Sequence, residues 1–290
     1  LLKPKDSLNF LVIAFFALTP LLWFRDGLLI AGGDGPVFLD PVNYLQSFVR
    51  YPVTHLNGVM PFEVCLIFPF LLFFKVCQCL GLSLLASEKI LFVAYFLGAG
   101  MSMNYLMSVV YEGDTLFARI ARLIASLFYM FNYFVILLTP LLAQFLAYVL
   151  LPLVLGLYMR GIRQGTPLFR RSFLFACALS LLPPAFANPP FLAMIVLILA
   201  LYTVYDLVIV NRFANLGRAA SFILLSAVLY LLFNMWFLAV WFRYFTSVTG
   251  VSEALLTSYW NPGSTLNQTV ALHGSWAWNE FYFPFFTFYE

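Results

Sequence analysis

The chain has 290 residues, of which 63% are hydrophobic, 19% aromatic and only 9% charged, with a formal net charge of +3. Soluble domains run at about 45–50% apolar and about 25% charged, so a water-soluble enzyme is excluded. Disorder is excluded too, since it needs low hydrophobicity and high charge; a balance this near neutral does not point to nucleic acid either. What remains is an all-α, polytopic helical membrane protein. Its apolar stretches run unbroken for ~15–25 residues, the length of a bilayer-crossing helix, and do not alternate as barrel strands do.

Taken in chain order, apolar runs fall at 8–24, 62–86, 89–110, 119–138, 141–158, 172–187, 190–210 and 219–242. No small-residue cleavage site follows the first run, which predicts a retained helix and not a signal peptide. Residues 25–61 form a long first loop. Within it, Asn43, Tyr44, Gln46, Phe48, Arg50, Tyr51, His55 and Asn57 mix polar and aromatic faces, which predicts an amphipathic helix lying in the interface plane. Lys75 sits near the inner end of its run and is expected to snorkel. Asn188, Pro189 and Pro190 divide the 172–210 stretch into two helices. Residues 1–245 read as one membrane module. Residues 246–290 read as the start of an external loop or domain. The chain begins without Met and stops in the aromatic run Phe281–Glu290, which is expected of a segment of a longer protein.

Orientation follows from Lys and Arg, which favour cytoplasmic loops. Lys3 and Lys5 precede the first run, and Arg160, Arg163, Arg170 and Arg171 form the strongest cluster, followed two spans later by Arg212 and Arg218. This predicts a plasma-membrane protein with its N-terminus inside and with the first loop and the tail outside. Parity then demands that one run between 62 and 158 does not cross. Pro140 and Pro152 interrupt that stretch, so 119–138 or 141–158 is expected to be re-entrant or interfacial. About seven spans result.

The first loop carries the densest candidate chemistry. Gly32, Gly33 and Gly35 flank Asp34, and Pro36 and Pro41 follow Asp34 and Asp40. Glycine permits a sharp turn and close backbone approach to a ligand. Two carboxylates held beside apolar neighbours suit a general base. Turn or cap chemistry is the competing reading for both aspartates. Arg50 meets either a lipid phosphate or the headgroup layer in general. His55 reads as a solvated loop histidine, and Glu63 as a helix-start charge. Asn188 offers an amide at the outer surface or simply a tight turn.

In the tail, Arg243 follows the last run, and His273, Gly274, Ser275, Trp276, Ala277, Trp278, Asn279 and Glu280 stand together. Tryptophans beside amides and a carboxylate suit sugar recognition, and equally suit interfacial anchoring. Asn267, Gln268 and Thr269 form a glycosylation sequon, a weak motif. Cys65, Cys77, Cys79 and Cys177 lie in or beside apolar runs, lack metal or redox spacing, and read as packing residues. No motif calls for a cofactor; a divalent cation is allowed by the chemistry but not indicated.

The run Gly32–Asp40–Pro41, after one helix with its N-terminus inside, resembles the first-loop acidic motif of the GT-C class of integral-membrane glycosyltransferases. Phe68, Pro69 and Phe70, and Gly81, Leu82 and Ser83 before Glu88 and Lys89, resemble the second-helix region of the arabinofuranosyltransferase-like and YfhO-like branches. Gly274, Ser275, Trp276, Ala277 and Trp278 resemble the opening of their external region. The resemblance implies seven helices, a polyprenyl-phosphate-linked sugar donor and transfer to a glycan, lipid or protein acceptor at the outer face. Asp34 would be the base, with Asp40 beside it. Arg243, then Arg50, would neutralise the leaving phosphate, and Asn188, His273, Trp276 and Trp278 would contact sugar or acceptor. The chain departs from the class in lacking a close acidic pair: Asp34 and Asp40 stand six apart. Two rival readings stand beside this one: a non-catalytic protein that binds lipid-linked glycans, and a lipid or glycan transporter.

Overall fold

A computed structural model describes residues 7–24, 62–111, 113, 115–138, 142–163, 167–182, 189–211 and 213–248. In order, these form α1 (Ser7–Phe16) with a 3-10 turn (Thr19–Trp23), α2 (Phe62–Cys79), α3 (Leu84–Val110), α4 (Leu116–Met130) and α5 (Tyr133–Leu138). Then come α6 (Leu142–Arg163), α7 (Leu168–Ser180), α8 (Pro189–Val204), a π-helical turn (Tyr205–Val210) and α9 (Leu216–Val248). No strand occurs among the described residues. The chain divides into two compact units, Leu1–Trp241 and Phe242–Glu290. The contacts below all lie in the first.

Among the described residues, four helical stretches are long and apolar enough to cross a membrane: Leu84–Val110, Gln144–Arg163, Ala193–Val210 and Leu216–Met235. At 1.5 Å per residue, α3 alone reaches about 40 Å, more than the roughly 30 Å hydrocarbon core. A second signature of a membrane environment lies in α4. Arg122 is 8% exposed whereas Phe128 is 74% exposed. Water would demand the reverse. The Arg122 guanidinium is held inside by the carbonyls of Gly113 (2.6 Å) and Ala118 (3.3 Å).

Long helices stand side by side because small residues admit close contact. A Cβ on Gly156 of α6 would come 2.9 Å from the Tyr105 ring of α3. The contacts fix directions. Tyr95 OH donates to Leu142 O (3.0 Å), Ser102 OH to Val149 O (2.6 Å), and the Arg160 guanidinium lies over the Tyr105 ring. Thus α3 and α6 are parallel. Against α3, α4 runs back, with Met130 beside Gly100. Asn9 Nδ2 donates to Arg119 O (3.1 Å), while Trp23 packs on Phe92 and Phe96. So α1 is antiparallel to α3 and starts at the end where α4 starts. Tyr158 OH meets Thr203 Oγ1, making α8 parallel to α6. Ser172 faces Phe222 and Ser180 faces Asn234, making α7 parallel to α9.

Of the two runs expected to hold a non-crossing segment, 141–158 forms an unbroken helix: α6 runs over 22 residues through Pro152 and is long and apolar enough to cross. Proline at 152 removes the partner of the carbonyl four residues earlier. That carbonyl, on Tyr148, instead accepts the Tyr129 hydroxyl at 2.7 Å. The 119–138 run is the one that breaks, at Phe131 and Asn132, into α4 and the short α5. Asn132 stabilises the break, with Oδ1 accepting from Val135 N (3.3 Å) and Nδ2 donating to the Tyr148 hydroxyl (2.5 Å). The 172–187 run appears as a 13-residue helix, α7.

The α2–α3 turn explains one quoted motif by local chemistry. Gly81 adopts φ +79°, and Leu82 N reaches back to Cys77 O (3.0 Å), a left-handed glycine stop. Ser83 then caps α3, its Oγ accepting from Ala86 N at 3.2 Å. Cys77 is buried in the core, as a packing residue would be, whereas Cys79 is exposed. The first loop, with the interfacial helix expected over 42–60, lies outside the described residues.

Candidate functional site

Asp34, Asp40, Arg50, Asn188, His273, Trp276 and Trp278 lie outside the described residues. Arg243 falls in the last turns of α9, and its side chain lies outside them too. What is described is the approach to the first loop. The chain leaves the 3-10 turn at Phe24, whose ring packs on Phe92 (5.8 Å between centroids) and carries the Lys89 ammonium at 5.7 Å. Glu88 is buried there, on the first turns of α3. Pro189 opens α8, a position that suits its missing N–H, so the break expected around Asn188 does occur there.

The most developed polar site stands at the opposite end, where α3, α6 and the π turn finish. Asp206 is the centre. A π turn spaces its hydrogen bonds by five residues: Asn211 N donates to Asp206 O at 2.9 Å. Such single turns are frequent at functional sites. The widened turn carries the Asp206 carboxylate inward, where it is 0% exposed. Three donors satisfy it. Arg163 Nε reaches Oδ1 at 3.3 Å, Tyr202 OH reaches Oδ1 at 3.4 Å, and Asn211 Nδ2 reaches Oδ2 at 2.7 Å. The Arg163 guanidinium also lies 5.7 Å from the Tyr202 ring.

Phe213 then holds φ +63°, a left-handed conformation that costs a bulky residue roughly 1–2 kcal/mol. Its N–H bonds Leu207 O at 2.7 Å. The strained turn redirects the chain into α9 and brings Asn215 beside Asn211. Val110, Tyr111, Arg163, Val210, Asn211 and Asn215 thereby enclose a cleft of about 590 Å³.

Both oxygens of Asp206 accept hydrogen bonds, so its carboxylate anchors Arg163, Tyr202 and Asn211. Arg163 is the group with capacity left. Its side chain is 32% exposed; Nε meets the Asp206 carboxylate and the guanidinium also interacts with Tyr202, which leaves part of its five-donor fork for a ligand. No three His, Cys, Asp or Glu side chains among the described residues converge on a metal position. Sequence reasoning passed over Asp206. The signal was present: a carboxylate inside an otherwise apolar run is a functional or structural marker by default.

No curated protein and no solved structure matches the chain. One family does match, over residues 76–284, and the chain belongs to it: DUF6541, a family of unknown function.

Proposed function

We propose that the chain is a GT-C-like membrane glycosyltransferase that uses a polyprenyl-phosphate-linked sugar at the extracytoplasmic face. The observation that carries this reading is the course of residues 7–24. They start at the arginine-bearing end of the bundle, beside Arg119, and finish at the opposite end, against Phe92. Positive residues favour the cytoplasmic side, so in this reading Phe24 stands at the outer end, ten residues before the glycine-flanked Asp34.

In this reading Asp34 accepts the acceptor's hydroxyl proton. The freed oxygen attacks the anomeric carbon. The bond from that carbon to the phosphate oxygen breaks, and polyprenyl phosphate leaves with the electron pair and inversion of configuration. Arg243 or Arg50 offsets the charge that develops on the leaving phosphate. Asp40, Asn188, His273, Trp276 and Trp278 contact sugar or acceptor.

The test is Asp34→Asn, assayed for sugar transfer from polyprenyl-phosphate donors in membranes with expression matched to the parent. A positioned base contributes about 10²–10⁴-fold, and a loss of that size is expected. Transfer at the parent rate would remove Asp34 from the mechanism.

A further inference from the structure

We propose that the cleft between α6 and the 205–211 turn binds a phosphate ester, at the end of the bundle opposite Phe24 and Phe92. This site is independent of the glycosyl-transfer reading and shares no residue with it.

Four observations converge. First, the cleft holds an arginine, one-third exposed, whose position is fixed. Arg163 is held through Nε by a fully buried carboxylate and against Tyr202, so the side chain loses its freedom while donors of its fork remain for a ligand. A guanidinium fork matches phosphate oxygens bidentately. Second, Asn211 and Asn215 add amide groups on the same wall. Third, the setting is cationic: residues 111–122, 160–171 and 206–218 together carry eight arginines and three carboxylates. One of those carboxylates, Asp206, is turned inward and hydrogen-bonded through both oxygens. Fourth, Val110 and Val210 give the cleft apolar walls where two long apolar helices end. A volume of about 590 Å³ is more than a bare phosphate fills, and within the range of small-molecule sites. Basic pockets between helices at the cytoplasmic surface suit anionic headgroups.

The chemistry is thus a phosphate mono- or diester with room for an attached group, from either a lipid headgroup or a soluble phosphate. Full-length protein in a phosphate-free detergent separates the two. Inorganic phosphate and short-chain phosphatidic acid are titrated in turn, read by ³¹P line broadening and by the melting temperature.

Two variants challenge the site in different ways. Val110→Trp narrows the cleft and leaves every charge in place. The double variant Arg163→Gln with Asp206→Asn removes the cation and its buried partner together, so no unpaired charge remains inside. Each is expected to weaken binding about ten-fold or more, as losing a charge-assisted hydrogen bond or the cavity would. Binding of phosphatidic acid alone, lost in both variants, assigns the site to a headgroup. Comparable binding of inorganic phosphate, lost in both, assigns it to a soluble phosphate. Failure of both probes to bind overturns the proposal, as does binding that both folded variants retain in full.

Discussion

The seam between α3 and α6 and the wall formed by α8 and α9 are built from the same apolar alphabet but by different rules. The membrane-crossing window of α6 is 61% buried within the protein, and that of α8 with its π turn only 11%. Burying leucine against protein gains little when the alternative is lipid, so helix association in a bilayer relies on close packing and hydrogen bonds. The seam has both. Gly156 admits Tyr105, Ser102 bonds the Val149 carbonyl, and Tyr129 bonds the Tyr148 carbonyl freed by Pro152. The wall is tied at separate points, Thr203 to Tyr158, Phe222 to Ser172 and Gly161, and Asn234 to Ser180, while Leu197, Leu201 and Val204 are exposed. Its one described ion pair to the seam is Asp206 to Arg163.

That ion pair gives the largest expected effect. Asp206→Ala leaves the Arg163 cation without its partner at the most buried point of the wall. Breaking a fully buried pair costs about 3–5 kcal/mol, and because Arg163 is a third exposed the loss is expected at or below the lower end of that range. Thermal unfolding of the purified protein in a fixed detergent should fall accordingly. The double variant Arg163→Gln with Asp206→Asn should recover most of the loss, because no charge is left unpaired. If the single and double variants melt alike, the ion pair is not what ties α8 to α6.

Next in size is Gly156→Leu. The Tyr105 ring stands where the new Cβ must go, and overpacking costs typically 1–3 kcal/mol. The same substitution at Gly217, where a Cβ would meet nothing within 4 Å, serves as the control; it should cost far less. Equal losses at both sites would mean that glycine matters here through chain flexibility and not through helix approach.

These contrasts show which features the sequence made legible. The apolar runs were readable because a bilayer demands about 20 apolar residues per crossing, and four helices of that kind are present among the described residues. The break before Pro189 was readable from backbone chemistry. Pro152 misled, because a proline inside a helix looks like a stop until the tyrosine that rescues the orphaned carbonyl is known. Tyr129 and Tyr148 stand 19 apart in the chain, and no local pattern announces that bond. Asn132 ends α4 without any proline or glycine. At the site, Arg163 was legible as one of a basic cluster. Its partner was not, because pairing across 43 residues depends on the parallel run of α6 and α8. The outer constellation around Asp34 rests on sequence motif alone.

Tyr129→Phe tests the seam more gently. It removes one hydroxyl and leaves the stacked pair of rings, whose centroids lie 4.1 Å apart. The Tyr148 carbonyl then loses its partner in apolar surroundings. A hydrogen bond of this kind contributes about 1 kcal/mol, so a drop of that order is expected. Tyr129→Phe combined with Pro152→Ala should be close to Pro152→Ala alone, since the restored backbone N–H then satisfies the same carbonyl. Additive losses would show that the hydroxyl does something other than replace the bond missing at Pro152.

The smallest expected effect is on the wall. Leu201 is 59% exposed on α8, with lipid or detergent as its surroundings in any membrane setting. Leu201→Ala opens no internal cavity, so the cavity cost of about 2–5 kcal/mol seen for buried leucines does not apply. Alanine is also the better helix former. The change should therefore stay within about 0.5 kcal/mol of the parent. A loss approaching that of a core leucine would mean that the α8 face is covered by protein in the working state. The comparison between seam and wall would then describe one subunit of a larger assembly, and crosslinking from a cysteine placed at 201 would find the covering surface.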